Sequence, residues 1–303
     1  MKVLIIGLGS IARKHIAALR RCVSDVEIYA LRSGSKSSSC DHVIDIYQWE
    51  EAFKVSYDFV IVSNPTSMHR STIEKLIAIN VPLFIEKPLF DSLEGESLIE
   101  EIRKKQIPTY VACNLRFLDV LRSLRNKILD RVVNEVNVYC GSYLPDWRPN
   151  IDYRTCYSAI PEMGGGVHID LIHELDYIYW FFGKPDKVHK VFTHKSSLGI
   201  RAYDYAHYLL EYKDFNVNVT LNYYRRDSKR ICEVVTSTNT LTADLLTGTI
   251  TDGQGKVVDE YSQRISDTYY DQMYNFLAML KSGDFEFNTA EDAYNVLKIC
   301  FLS

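Results

Sequence analysis

The 303-residue sequence predicts an N-terminal α/β domain on a doubly wound parallel sheet, followed by an α+β domain with an open, mostly antiparallel sheet. Two textures and one turn carry that expectation. Over residues 1–117, short β-branched runs alternate with helical patterns, the order of a parallel sheet with crossover helices. From residue 187 onward the runs lengthen and alternate apolar with polar, the pattern of an antiparallel sheet with one covered face. Between the first run and the first helix lies a glycine-punctuated turn, Gly7-Leu8-Gly9.

Taken in order, strands are expected over 2–6, 26–31, 59–62, 82–85 and 109–112, with helices over 11–20, 68–79 and 92–105. A helix over 118–129 bridges to a strand over 135–140 and a loop over 141–158 rich in Tyr, Pro, Trp and Arg. The helix expected over 167–182 is stopped by Gly183 and Pro185. Strands over 187–192, 204–212, 216–223, 230–237, 241–244 and 247–251 follow, and helices over 268–281 and 290–302 finish the chain. The domains implied are 1–117 and 118–303.

A formal net charge of −4 argues against non-specific nucleic-acid or anionic-membrane binding. Seven cysteines, none in a Cys-x-x-Cys pair, fit reduced thiols better than a disulfide framework or a zinc ribbon. The apolar start Val3-Leu4-Ile5-Ile6 is broken by Gly7 and is too short for a signal-peptide core. No apolar run reaches the roughly 18 residues of a membrane span. A cytoplasmic protein with no membrane or nucleic-acid partner is the expectation.

Gly7-Leu8-Gly9-Ser10-Ile11-Ala12 follows a strand and opens a helix, the context in which such a turn cradles a dinucleotide pyrophosphate. Ala12 stands where a third glycine is usual, a position that needs only a small side chain. The second strand ends Leu31-Arg32-Ser33-Gly34-Ser35-Lys36, without the acid that holds the ribose hydroxyls of NAD. A guanidinium beside hydroxyls and an ammonium suits a 2′-phosphate, so NADP is expected, with NAD as the alternative. Ser63-Asn64-Pro65-Thr66 is either a contact to the nicotinamide half of the cofactor or a plain turn with a helix cap. Glu86-Lys87-Pro88 closes the apolar run Val81-Pro82-Leu83-Phe84-Ile85. A lysine at the carboxyl end of a buried strand is costly unless it meets a ligand or another charge.

Gly7-x-Gly9-x-x-Ala12, Asn64-Pro65 with His69, Glu86-Lys87-Pro88, Asn114-Leu115-Arg116-Phe117 and Gly164-Gly165-Gly166 ahead of Asp170-x-x-His173 occur in that order. Together they resemble the glucose–fructose oxidoreductase / inositol dehydrogenase / rhizopine-catabolism family (Gfo/Idh/MocA), over essentially the whole chain. The resemblance implies a Rossmann domain, hydride exchange between a nicotinamide and a secondary alcohol of a sugar, cyclitol or nucleotide sugar, and homodimers or homotetramers through the C-terminal sheet. It implies that Lys87 hydrogen-bonds the reacting oxygen, that His173 carries the proton and that Asp170 is its carboxylate partner. The Asp–His spacing is three residues, where many similar proteins have four. The chain also stops within a helix that similar proteins continue. With the readings above, the cofactor set is Gly7, Gly9, Ser10, Ile11, Ala12, Arg32, Ser33, Asn64, Pro65, His69, Glu86 and Lys87.

The residues support the same roles. Leu171, Leu175, Ile178 and Phe182 form one helical stripe, and Asp170 and His173, three apart, share the neighbouring face. An imidazole titrates near operating pH and can accept a hydroxyl proton, while a cation at Lys87 stabilises developing alkoxide. His168, Asp170 and His173 show no zincin-type spacing, so no metal is expected. Trp147, Arg148, Tyr153 and Arg154 are either a sugar- and anion-binding wall or a surface loop closing over the core. Arg225, Arg226, Asp227, Lys229 and Arg230 are a pocket rim or a solvated strand end. With Lys87, Asp170 and His173, the substrate set is Arg116, Trp147, Arg148, Tyr153 and Arg154. The loop and the 172–177 segment resemble family members found with bacterial surface-polysaccharide genes, which implies an amino-sugar or nonulosonate precursor. Two other activities fit the resemblance: an NAD-dependent glycosidase that returns its cofactor unchanged, and a non-catalytic dinucleotide- and sugar-binding regulator.

Overall fold

The run Val3-Leu4-Ile5-Ile6 is buried along its whole length, as a parallel strand covered on both faces must be. In the computed structural model, which describes residues 1–34 and 39–302, this run is β1 (Lys2–Ile6). After it come α1 (Ser10–Cys22), β2 (Glu27–Leu31), β3 (Val43–Ile46), α2 (Trp49–Ala52), β4 (Phe59–Val62), α3 (His69–Leu76), β5 (Leu83–Ile85), α4 (Glu96–Lys104) and β6 (Thr109–Val111). The strands pair in the order β3-β2-β1-β4-β5-β6, all parallel. Strand order reverses between β1 and β4, which opens the crevice where doubly wound sheets bind ligands.

The chain continues through α5 (Asp119–Ile128), β7 (Val133–Tyr143), α6 (Val167–Asp170), α7 (His173–Phe182), β8 (Lys187–Thr193), β9 (Tyr205–Glu211) and β10 (Asn216–Asn222). Then follow β11 (Tyr224–Thr236), β12 (Thr240–Asp244), β13 (Thr249–Asp252), β14 (Val257–Glu260), α8 (Thr268–Ser282) and α9 (Ala290–Phe301). The second sheet has the order β14-β13-β12-β11-β7-β10-β9-β8. It is antiparallel except for β7 against β10, where Val136 faces Val217 and Val138 faces Val219. In β9, Ala206, Tyr208 and Leu210 are buried while Tyr205, His207 and Leu209 are half-buried, so one face is covered and the other open.

The polypeptide packs as two compact units, Met1–Cys113 with Tyr269–Leu297 and Asn114–Thr268 with the stretch from Lys298 on. The sequence suggested one boundary at 117/118; instead the α8 segment returns to the first unit. Aromatic packing explains the return: Phe276 meets Phe59, Phe84 and Tyr110 with ring centroids 4.9, 5.2 and 5.7 Å apart.

Four expectations are corrected. Strands β3 and β14 are present and were not anticipated. The helix expected over 92–105 begins only at Glu96. The strand expected from 230 starts at Tyr224, with a register shift between Tyr224 and Lys229. The helix expected over 167–182 is two helices, α6 and α7. At the break the hydrogen-bond ladder tightens: Ile172 N–H bonds the Ile169 carbonyl and Glu174 N–H the Leu171 carbonyl, both at 3.3 Å.

In the second unit the His168 ring is buried against Phe192, Tyr203 and Phe301, with centroids 5.0, 5.4 and 5.8 Å away. Burial, and then the Lys190 charge, push its pKa down to about 4 from 6.5. The folded state therefore holds neutral imidazole while the unfolded chain takes up a proton below pH 6.5. This contribution is fully present above pH 6.5 and is lost as pH falls toward about 4. The loss reaches on the order of 3 kcal/mol for this one group. Urea unfolding across that range checks it: His168→Phe should flatten the acid-side decline relative to the wild type.

Candidate functional site

The crevice at the strand-order reversal is shaped by a close backbone approach. Gly7 has φ of +85°, and a Cβ there would lie 2.9 Å from the Asn64 Cα. Only glycine satisfies both conditions. Gly9 sits at the start of α1, where no side chain caps the helix and the space around an added Cβ is open. The first amides of α1, with Ser10 exposed and Ile11 half-buried, can therefore hold a pyrophosphate. Ala12 is fully buried, as a position that takes a small side chain would be.

The turn after β4 is fastened to its neighbours. Ser63 Oγ donates to the Ile6 and Gly7 carbonyls, each at 3.2 Å. Asn64 Nδ2 donates to Thr72 Oγ1 at 2.8 Å, and the next residue, Pro65, is exposed. The His69 ring is buried, with Nε2 3.0 Å from the Asn64 carbonyl and Nδ1 3.1 and 3.2 Å from those of Pro88 and Leu89. Burial lowers its pKa, so the ring is held neutral, with a single N–H on one of its two nitrogens. His69, expected to contact the cofactor, braces the turns after β4 and β5.

At the end of β5 the buried Glu86 carboxylate meets His15 of α1 through Oε1 and accepts the Lys87 backbone N–H through Oε2 at 3.2 Å. Lys87 follows half-buried, joined to Pro88 by a cis peptide. Arg32 departs from expectation. Its side chain is only 3% exposed and pairs with Asp45 of β3, so it is not a solvated guanidinium awaiting a phosphate. Ser33 is exposed, while Ser35 and Lys36 of the same basic loop lie outside the described residues.

In the second unit, Asp170 ends α6 and His173 opens α7. The broken helix overturns the idea that a continuous i, i+3 face positions them. Tyr223 Oη donates to Asp170 Oδ2 at 2.5 Å. Tyr157 also hydrogen-bonds Asp170, and burial followed by that carboxylate raises its pKa. The aromatic loop closes on the same two tyrosines. The Trp147 ring lies edge-on to Tyr223 at 5.3 Å, and Arg148 stacks 5.1 Å from the centre of Tyr157. Tyr153 instead donates to the Leu198 carbonyl at 2.9 Å, and Arg154 pairs with Asp152 at 3.6 Å on the surface.

Arg116 is also corrected. It is buried and forks Asp176, with Nη2 and Nε 2.7 and 3.0 Å from the two carboxylate oxygens, rather than presenting itself to a substrate. Among the described residues no group of three or more His, Cys, Asp or Glu side chains could hold a metal, and no helix is long and apolar enough to cross a membrane. His15, Asp45, Tyr157, Asp176 and Tyr223 were missed from the sequence. Only His15 left a signal, as a lone imidazole three residues after Ala12 on the buried stripe of α1.

Residues 1–112 match the family model described as "Oxidoreductase family, NAD-binding Rossmann fold", and residues 125–301 match its "C-terminal alpha/beta domain". The inositol 2-dehydrogenase/D-chiro-inositol 3-dehydrogenase of Lacticaseibacillus casei is 26% identical over 190 residues, 59% of this chain and 52% of that protein. The chain spans about half the length of the curated relatives it matches. Several solved structures share the fold over 99% of this chain. The UDP-N-acetylglucosamine 3-dehydrogenase GnnA from Acidithiobacillus ferrooxidans does so with a TM-score of 0.78 at 17% identity, covering 95% of that chain. GenD2 from gentamicin A biosynthesis, in complex with NAD, does so with a TM-score of 0.81 at 18% identity, covering 92% of that chain.

The two arginines expected at the substrate should differ sharply in stability measurements. Asp176→Ala leaves the buried Arg116 charge without its fork and should cost about 3–5 kcal/mol. Arg154→Ala breaks an exposed pair and should cost less than about 1 kcal/mol. Equal effects in urea titrations would refute the contrast.

Proposed function

Because this chain belongs to the Gfo/Idh/MocA oxidoreductase family, we propose that it exchanges a hydride between a nicotinamide dinucleotide and a secondary alcohol or ketone of a carbohydrate. The observation that carries the reading is the braced crevice in the first unit: the Gly7–Asn64 approach, the uncapped start of α1, and Lys87 at the end of β5. When bound, the dinucleotide supplies the C4 position of its nicotinamide as hydride donor or acceptor.

The chain's own groups do the rest. Gly9, Ser10, Ile11 and Ala12 present backbone amides to the pyrophosphate, and Asn64, Pro65 and Glu86 border the nicotinamide half. The Lys87 ammonium donates to the reacting oxygen and stabilises the charge that develops on it. A ring nitrogen of His173 takes the hydroxyl proton during oxidation and returns it during reduction. Asp170, fixed by Tyr157 and Tyr223, orients the proton carrier and the substrate hydroxyls.

The substrate class follows from the loop. Trp147 and the Tyr157 ring suit the C–H face of a sugar or cyclitol, and Arg148 suits a carboxylate or phosphate carried by it. An inositol, a nucleotide sugar and a sugar acid are the members of that class to test, the first two matching the activities for which similar proteins are named. Homodimer or homotetramer contacts are assigned to the open face of the second sheet, and the reaction to the cytoplasm, in keeping with seven cysteines of which none stands in a Cys-x-x-Cys pair.

For the cofactor, the Arg32–Asp45 pair favours NAD over the NADP expected from sequence, since the guanidinium charge is already balanced. NADH should bind about tenfold more tightly than NADPH in fluorescence titrations, and Asp45→Ala should narrow that ratio by releasing Arg32. A panel of inositols, nucleotide sugars and sugar acids, followed at the reduced-nicotinamide absorbance, tests the reaction. Lys87→Ala and His173→Ala should each lower kcat by about 100-fold or more. Turnover indifferent to both substitutions would sink the assignment. Substrate cleavage without net absorbance change would point to the glycosidase instead.

A further inference from the structure

His15 is fully buried on the α1 face that meets the sheet, an expensive place for an imidazole. Its ring lies edge-on to Phe84, with centroids 4.9 Å apart, and to Tyr269, at 5.8 Å. Nδ1 is buried with no hydrogen-bond partner, so the ring's polar interaction is concentrated in Nε2, which meets Glu86 Oε1. The other Glu86 oxygen accepts the Lys87 backbone N–H at 3.2 Å. A chain of polar contacts thus runs from the helix opened by the glycine turn, through a buried carboxylate, to the backbone of the lysine. Packing alone does not need it, since a phenyl ring would fill the same space between Phe84 and Tyr269.

We propose that His15 is a positioning residue for Lys87. By holding Oε1 of Glu86, it aims the second oxygen at the Lys87 backbone and restrains the carboxylate from turning onto the Lys87 ammonium. The lysine's place is then set by the same helix that receives the dinucleotide. This rests on the reading of Lys87 as the group that meets the reacting oxygen, but it is tested on the protein without dinucleotide.

The measurement is competitive acetylation of the full chain with trace acetic anhydride, scoring Lys87 by mass spectrometry against Lys54 and Lys104 as internal controls. His15→Phe should slow Lys87 labelling by about tenfold, because a released Glu86 carboxylate pairs with the ammonium and withdraws it from the reagent. The controls should not change. Adding Glu86→Gln to His15→Phe should restore the rate, and His15→Gln, which keeps an N–H donor, should stay near the wild type. His15→Met provides the apolar variant where a phenyl ring disrupts α1. A wild-type labelling rate in the apolar variants, or slowing shared by the control lysines, would overturn the proposal. NADH titration of the wild type is the separate arm: failure to bind would overturn the dinucleotide reading and leave the labelling result to judge His15.

Discussion

The first unit depends on one close approach, the Asn64 backbone lying where a side chain on Gly7 would have to go. It brings the ends of β1 and β4 together, and the neighbouring residues exist to keep it. Ser63 ties the turn to the Ile6 and Gly7 carbonyls, and His69 ties it to Pro88 and Leu89. Lys87 is consequently flanked by fastened backbone: His69 holds the residues after it, and Glu86, held by His15, sits before it. In the role proposed for Lys87, such restraint means that no reorganisation is needed when charge develops beside it.

Buried charge in both units is handled by pairing. Arg32 with Asp45, Arg116 with Asp176, and Arg230 with Glu174 each place a guanidinium against a carboxylate away from water. Desolvation offsets much of the attraction in such pairs, so they specify geometry more than they add stability. The Arg230–Glu174 pair leaves Arg230 Nη2 and Glu174 Oε2 buried without hydrogen-bond partners, which fits a structural arrangement that is only partly satisfied. Exposed pairs such as Arg201–Glu162 and Arg154–Asp152 contribute little.

That division explains what the sequence could reveal. Strand–helix alternation made the parallel sheet legible, because a strand buried on both faces must be apolar throughout, as Phe59-Val60-Ile61-Val62 is. The turn at Gly7 and the lysine at the end of β5 were legible because each breaks an apolar run for a physical reason. The carboxylate partners of Arg32 and Arg116 were not legible, since nothing local marks Asp45 or Asp176 as their partners across 13 and 60 residues. The strand β3 was invisible because Val43-Ile44-Asp45-Ile46 is partly exposed at a sheet edge and carries no strong period. The break between α6 and α7 was missed because the buried Leu171, Leu175 and Ile178 keep a helical spacing across it.

The break also changes how the second unit's candidate groups relate to each other. On one continuous helix, Asp170 and His173 would be fixed by a shared backbone ladder. With the ladder tightened at Ile172 and Glu174, Asp170 takes its orientation from Tyr223 and Tyr157 instead. Those rings are the ones that Trp147 and Arg148 contact, so the aromatic loop and the carboxylate form a single packed body. A substrate pressing on the loop would act on Asp170 through the phenols, without touching α7. The aromatic loop and the direction of the Asp170 carboxylate are thereby set together, through the same two phenols.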